Sequence, residues 1–313
     1  MELQNIEPTL LAEPYLPYTP ESRPSLAKGI LKEIRPKQWV KNVLVAAAPL
    51  AAATIFQPQV ALSAFIAFVA FCLVASAVYL LNDLIDIDAD RAHPVKRFRP
   101  IAAGIVPIPL AIVLAIIFLI VSITLAFFTG RLQLMVVLLV YALIQIAYCL
   151  KLKHIAVLDM TIVSSGFLLR AIAGGVAAGI PLSPWFLMVA SFGSLFMVAG
   201  KRYSELHLIG KGEKKTRKTL EAYSLSYLRF VWGIAASGLV VFYSLWAVGI
   251  GGAVHGLFPQ LSIIPFLIAI LRYAVDIDRG AAGEPESVVL GDKTLVILGL
   301  IWLALFAIGA LSQ

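Results

Sequence analysis

LSAFIAFVAFCLVASAVYLLNDLIDIDADR, residues 62–91, changes character at Asn82. Residues 62–82 carry no charge, and about 20 apolar residues rising about 1.5 Å each are what a helix needs to cross about 30 Å of hydrocarbon. Backbone N–H and C=O groups find no water in lipid, so such a segment must be helical. From Asn82 onward the chain turns acidic, with Asn82, Asp83, Asp86, Asp88 and Asp90 close together. The expected unit is a membrane-spanning helix that delivers carboxylates to one surface.

Comparable apolar runs lie at 42–57, 107–129, 133–150, 156–180, 183–202, 225–249, 258–275 and 294–312, the first being the shortest. The 313 residues are 60% hydrophobic and 14% charged, with a mean hydropathy of +0.92, whereas soluble domains carry about 25% charged residues. The expected fold is all-α: a polytopic membrane protein of about nine transmembrane helices bundled around a cavity. A barrel would need segments of about ten residues with alternating polarity, and the sequence has none. Residues 1–40, rich in Pro and Glu and without a signal-peptide pattern, read as a flexible cytoplasmic arm. Residues 41–313 read as one transmembrane catalytic domain. Cys72 and Cys149 lie inside apolar runs, without metal or disulfide spacing, and read as core residues.

With the amino terminus in the cytoplasm, every Lys and Arg except Arg131 and Arg170 falls on the cytoplasmic side, as the positive-inside rule requires. The net charge of +7 is then a sidedness signal and implies no nucleic-acid partner. Asp and Glu gather on the same side, which the rule does not demand. Polar chemistry is therefore expected at the cytoplasmic face of a bacterial inner-membrane protein. Arg170, well inside a span, must face the protein interior and find a partner.

On a helix at about 100° per residue, Asp83, Asp86 and Asp90 fall within about 60° of one another, while Asp88 points away. Three carboxylates on one stripe repel unless a cation neutralises them. Mg²⁺ prefers oxygen ligands and completes its shell with water and substrate phosphate, so Asn82, Asp83, Asp86 and Asp90 are candidate ligands. An acidic helix cap without chemistry is the plainer alternative. The loop that follows, His93 to Pro100, adds Lys96, Arg97 and Arg99, which either hold an anion beside the metal or satisfy sidedness alone.

The stripe Asn-Asp-x-x-Asp-x-x-x-Asp at the end of the second of nine helices resembles the first signature of the UbiA superfamily of intramembrane prenyltransferases. Further stretches look like the decaprenyl-phosphate phosphoribosyltransferase branch: Arg35 to Asn42, Tyr148 to His154 with Asp159, Lys201 to Glu205, and Gly283 to Asp292. The order of segments fits over nearly the whole chain. One departure from classical prenyltransferases stands out: no second Asp-rich motif follows the sixth span. Residues 201–218 instead hold Lys201, Arg202, Lys211, Lys214, Lys215, Arg217 and Lys218 against Glu205 and Glu213, a composition suited to anions.

The resemblance implies Mg²⁺-dependent transfer of 5-phosphoribose from phosphoribosyl pyrophosphate to a polyprenyl phosphate, for cell-envelope polysaccharide precursors. It implies catalytic roles for Asp83, Asp86 and Asp90, and substrate binding by Lys41, Lys96, Arg97, Tyr148, Lys151, Lys153, Asp159, Lys201, Arg202 and Glu205. Association into a homo-oligomer stays open. Two other classes share part of the pattern. An aromatic prenyltransferase using a polyprenyl diphosphate would ordinarily carry the missing second motif, and an ion-coupled transporter would place its charges near the bilayer midplane, where only Arg170 lies.

Overall fold

Chain entry sets the geometry of the charged end. The computed structural model describes residues 24–209, 218–249, 257–283 and 285–311. Helix α1 (Leu26–Glu33) is capped by Ser25, whose hydroxyl accepts from the Lys28 amide. Residues 26–33 of the expected arm are thus helical. Arg35 then adopts a left-handed conformation (φ 54°, ψ 59°) and turns the chain into a 3₁₀ segment, Pro36–Ala46, followed by α2 (Ala47–Ala51).

The expected first span, 42–57, is therefore not one continuous membrane helix. Its first part is the tight 3₁₀ segment, and Ala53 has positive φ just after α2. The cause is a docking demand. A Cβ on Gly174 would lie 1.6 Å from the Val45 carbonyl oxygen, so that backbone passes where only glycine leaves room. Irregular backbone survives at membrane depth when protein buries it, and Asn42, Val45 and Ala48 are all buried.

The remaining elements are α3 (Pro58–Ile85), α4 (Ile87–Ala92), α5 (Ile108–Phe128), α6 (Leu132–Leu150), α7 (Leu158–Ala178), α8 (Pro184–Ile209), α9 (Leu225–Gly249), α10 (Leu257–Asp278), α11 (Pro285–Gly291) and α12 (Lys293–Leu311). Among the described residues, α3 and α5 to α10 make seven helices long and apolar enough to cross a membrane, and α12 adds a shorter apolar one. The expected count of nine is not reproduced. The chain is an all-helical, multi-pass membrane protein.

Helices α3 and α7 are the innermost, with 61% and 56% of their apolar windows buried, against 22% for α5. On one side they pack with α6 around Phe71, Leu134 and Leu138. A second cluster joins α8, α9 and α10 around Phe196, Tyr203, Leu228 and Ile277. At 28 residues, α3 rises about 42 Å, roughly 12 Å more than the hydrocarbon thickness, so its acidic end can stand at the membrane surface. Deep in the bundle, Arg170 is 5% exposed and finds the partners its position demands. It donates to Asn42 Oδ1 (2.7 Å), the Gly166 carbonyl (2.6 Å) and the Tyr141 hydroxyl (3.1 Å), and lies against the rings of Phe71, Tyr141 and Phe167. Its role is structural: it ties the 3₁₀ segment to α6 and α7.

Candidate functional site

Two clusters of ionisable side chains occupy the charged end, and the first is built on the break between α3 and α4. Asp86 is the residue of that break (φ −92°, ψ 8°), although the Asp90 amide still donates to the Asp86 carbonyl at 2.8 Å. The stripe is therefore kept in register but is split in its contacts. Asp83 and Asp90, each 1% exposed, share Arg99, whose Nη1 donates to Asp83 Oδ1 at 2.8 Å and to Asp90 Oδ2 at 2.6 Å. Asp86 instead takes Lys153 Nζ, at 2.6 and 2.8 Å to its two oxygens. The Asn82 amide donates to Asp83 Oδ1 at 3.1 Å. Asp88 points to solvent, its side chain 94% exposed.

Asp83 also pairs with Arg35, whose guanidinium lies 4.8 Å from the Tyr79 ring centre. These contacts over-determine the left-handed Arg35 backbone, a conformation that costs a non-glycine residue about 1–3 kcal/mol. Next to it stands Glu33, 1% exposed at the end of α1. Burial, then the neighbouring charge of Asp83, pushes the Glu33 carboxyl up to about 8. Burial also raises Asp90, against the opposing pull of Arg99.

The second cluster is centred on Asp159, in the first turn of α7 and 3% exposed. It accepts from Arg202 Nε at 3.1 Å and from the Tyr223 hydroxyl, and Arg202 reaches Glu205 at 2.9 Å. Burial, then the bond to Asp159, raises the Tyr223 phenol. Lys153 ties the first cluster to the segment just before Tyr223: its side chain holds Asp86 while its carbonyl accepts from Thr219 Oγ1 at 2.7 Å.

The expected set thus divides into groups. Asn82, Asp83, Asp86, Asp90 and Lys153 meet at the first cluster, and Asp159, Arg202 and Glu205 at the second. Lys96 lies in a 3₁₀ turn close enough to Asp90 for its charge to act there, and Arg97 lies 5.2 Å from the Phe98 ring centre. Tyr148 lies near Arg202. Lys41 is half-buried in the 3₁₀ segment, Lys201 half-buried on α8, and Lys151 exposed at the end of α6. Lys211, Lys214, Lys215 and Arg217 of the basic loop lie outside the described residues. A groove of about 590 Å³ between α8 and α9, lined by Phe192, Arg229 and Gly233, contains none of the expected site residues.

Three residues of these clusters were not expected there, Glu33, Arg35 and Tyr223, while Arg99 was expected only as one of the loop cations. Arg35 and Arg99 each precede a proline at the charged end, a signal that was present. Glu33 sat in a segment whose composition suggested an arm, and Tyr223 carried no spacing signal.

The donors at the first cluster are all oxygens, the chemistry of a hard divalent cation. Among the described residues no three acidic, His or Cys side chains are grouped to hold a metal ion, and Arg35, Arg99 and Lys153 pair with the acids.

Residues 42–289 match the UbiA prenyltransferase family. The decaprenyl-phosphate phosphoribosyltransferase of Mycolicibacterium smegmatis is 53% identical over 291 residues, covering 89% of this chain and 91% of that protein. The enzyme of the same name from Corynebacterium glutamicum is 52% identical over 283 residues, covering 89% and 85%. A UbiA homolog from Archaeoglobus fulgidus, solved with DMAPP and Mg²⁺, superposes with a TM-score of 0.67 over 90% of this chain and 97% of that one, at 18% identity. With its helix order, its acidic stripe and these matches in agreement, the chain belongs to the UbiA prenyltransferase family.

Proposed function

We propose that this protein transfers 5-phosphoribose from phosphoribosyl pyrophosphate to a polyprenyl phosphate such as decaprenyl phosphate, releasing pyrophosphate at the cytoplasmic face. The observation that carries the reading is 53% identity, across 89% of the chain, to a protein named for that transfer. The product then serves cell-envelope polysaccharide synthesis.

Asn82, Asp83, Asp86 and Asp90 would hold Mg²⁺, which when bound supplies Lewis-acid stabilisation of the departing pyrophosphate. Arg35, Arg99 and Lys153 are paired with those acids in this structure. Were the acids neutralised by a bound cation, these side chains would be available to the phosphates of the donor, where a guanidinium can bond two oxygens at once. Arg202, fixed by Asp159 and Glu205, forms the second anion contact. Lys41, Lys96, Arg97, Lys151 and Lys201 would add positive charge for the phosphates, and Tyr148 stands beside Arg202. A phosphate oxygen of the acceptor, already ionised at neutral pH, bonds to the anomeric carbon through an oxocarbenium-like state. The electrons of the broken C–O bond leave with pyrophosphate, so no protein nucleophile is required.

The test is transfer of label from radiolabelled phosphoribosyl pyrophosphate to a polyprenyl phosphate by purified protein with Mg²⁺. Lipid-bound label that disappears with EDTA and in Asp86→Ala supports the reading. Prenylation of an aromatic acceptor from a prenyl diphosphate, without phosphoribosyl transfer, would overturn it.

A further inference from the structure

Val157 enters α7 in a backbone conformation that valine rarely adopts. It is the N-cap of that helix, with φ 69° and ψ −49°, close to the γ-turn geometry that is rare and strained. For a β-branched residue a positive φ is a true outlier. Such strain persists where the surroundings over-determine it, and it gathers at functional sites. The surroundings here are specific. The Val157 carbonyl accepts from the Thr161 amide and hydroxyl, both at 2.9 Å, and the Val157 amide donates to the Tyr223 hydroxyl.

That hydroxyl in turn donates to Asp159 Oδ1. One oxygen of Tyr223 therefore ties the strained residue to the carboxylate two positions further on. Docking of the Tyr223 segment does not depend on this oxygen. The Tyr223 ring stacks on Tyr227, 5.7 Å away and 7° from parallel, and Leu220, 2% exposed, packs in the same apolar cluster as Tyr223 and Met160.

Asp159 lies in the first turn of α7, where an acidic side chain can serve the free amides and the positive dipole end of its own helix. It is turned instead to side chains 43 and 64 positions away. Carboxylate–guanidinium pairs frequently form two parallel bonds. With Oδ1 given to Tyr223, Asp159 meets Arg202 by Oδ2 at Nε alone, while Glu205 takes Nη1. Neither of these bonds uses Nη2.

We propose that Tyr223 is a positioning residue for the transfer: by engaging Asp159 Oδ1 it keeps Asp159 from gripping Arg202 with both oxygens, and so leaves Nη2 of Arg202 to a phosphate of the donor. The proposal rests on the reading of Arg202 as an anion contact given above. Without the Tyr223 hydroxyl, Asp159 is able to swing onto the guanidinium and compete with the phosphate for it.

Initial rates of the full chain in detergent with Mg²⁺, varying phosphoribosyl pyrophosphate and the polyprenyl phosphate in turn, test it. Tyr223→Phe, which keeps the stacked ring, is expected to raise the donor KM about fivefold, the scale of one hydrogen bond, with kcat and the acceptor KM within about twofold. Tyr227→Phe is expected to match the unaltered protein. Arg202→Lys is expected to raise the donor KM by itself, and Tyr223→Phe to add little in that background, because it acts through Arg202. A donor KM of Tyr223→Phe within twofold of the unaltered protein overturns the proposal and leaves the functional reading standing. A full further rise in the Arg202→Lys background overturns it too. No phosphoribosyl transfer by the unaltered protein overturns the functional reading and the proposal together. Should Tyr223→Phe fail to fold, Asp159→Asn decides, since the route from Tyr223 to Arg202 passes through that carboxylate: a raised donor KM at unchanged kcat supports the proposal, and an unchanged one overturns it.

Discussion

At Arg99 a single guanidinium nitrogen holds two carboxylates that are nearly sealed from solvent. Breaking a buried pair by removing one partner strands the other charge, which is why such losses exceed the net worth of the pair. Arg99→Met is expected to cost roughly 3 kcal/mol, the low end of that range, because Arg35 still faces Asp83. Thermal unfolding in detergent measures it, and a loss below about 1 kcal/mol, the scale of exposed pairs, would show that the carboxylates are solvated. Arg170 shows what a sequence can and cannot say about one residue. Its depth demanded a polar partner, yet Asn42 lies 128 positions away, and nothing in local spacing selects it.

Element by element, the sequence was legible wherever lipid set the terms. The spans of α5, α6, α7, α9 and α10 came close to their observed ends, while α8 runs on to Ile209 beyond the expected 202, because a buried backbone at membrane depth has few alternatives to a helix. The 42–57 run was misread because its shape is set by contact with α7, through Gly174, rather than by its own hydropathy. Likewise α1 was hidden by a Pro- and Glu-rich composition that suggested an arm. The acidic stripe was legible as a group, but its division between Arg99 and Lys153 depends on the pause at Asp86, which periodicity does not reveal. Gly174→Ala is expected to destabilise by at least about 3 kcal/mol, the upper end of overpacking costs, since backbone blocks the new Cβ. Gly233→Ala, with nothing within 4 Å of the added carbon, is expected to stabilise α9 by about 0.5–1 kcal/mol. Paired melting curves of the two variants check both signs.

For the molecule as a whole, charge asymmetry defines an inside and an outside. The two native cysteines are buried, so single cysteines placed by substitution can report sidedness. Asp88→Cys is expected to react with a membrane-impermeant thiol reagent only in inside-out vesicles, and Arg131→Cys only in right-side-out ones. Reaction of both on the same side would refute the orientation. Lys153 adds a consequence at this scale. Its side chain ends on Asp86 and its own carbonyl is held by Thr219, so one residue is the hinge pin between the α3–α4 corner and the entry to α9. The two bonds leave from opposite ends of the residue, so breaking the one at the ammonium leaves the one at the carbonyl in place. Thr219→Val, which takes this donor from the Lys153 carbonyl, is expected to cost about 1 kcal/mol in thermal unfolding, so that one hydroxyl serves as the stitch between two distant stretches of chain.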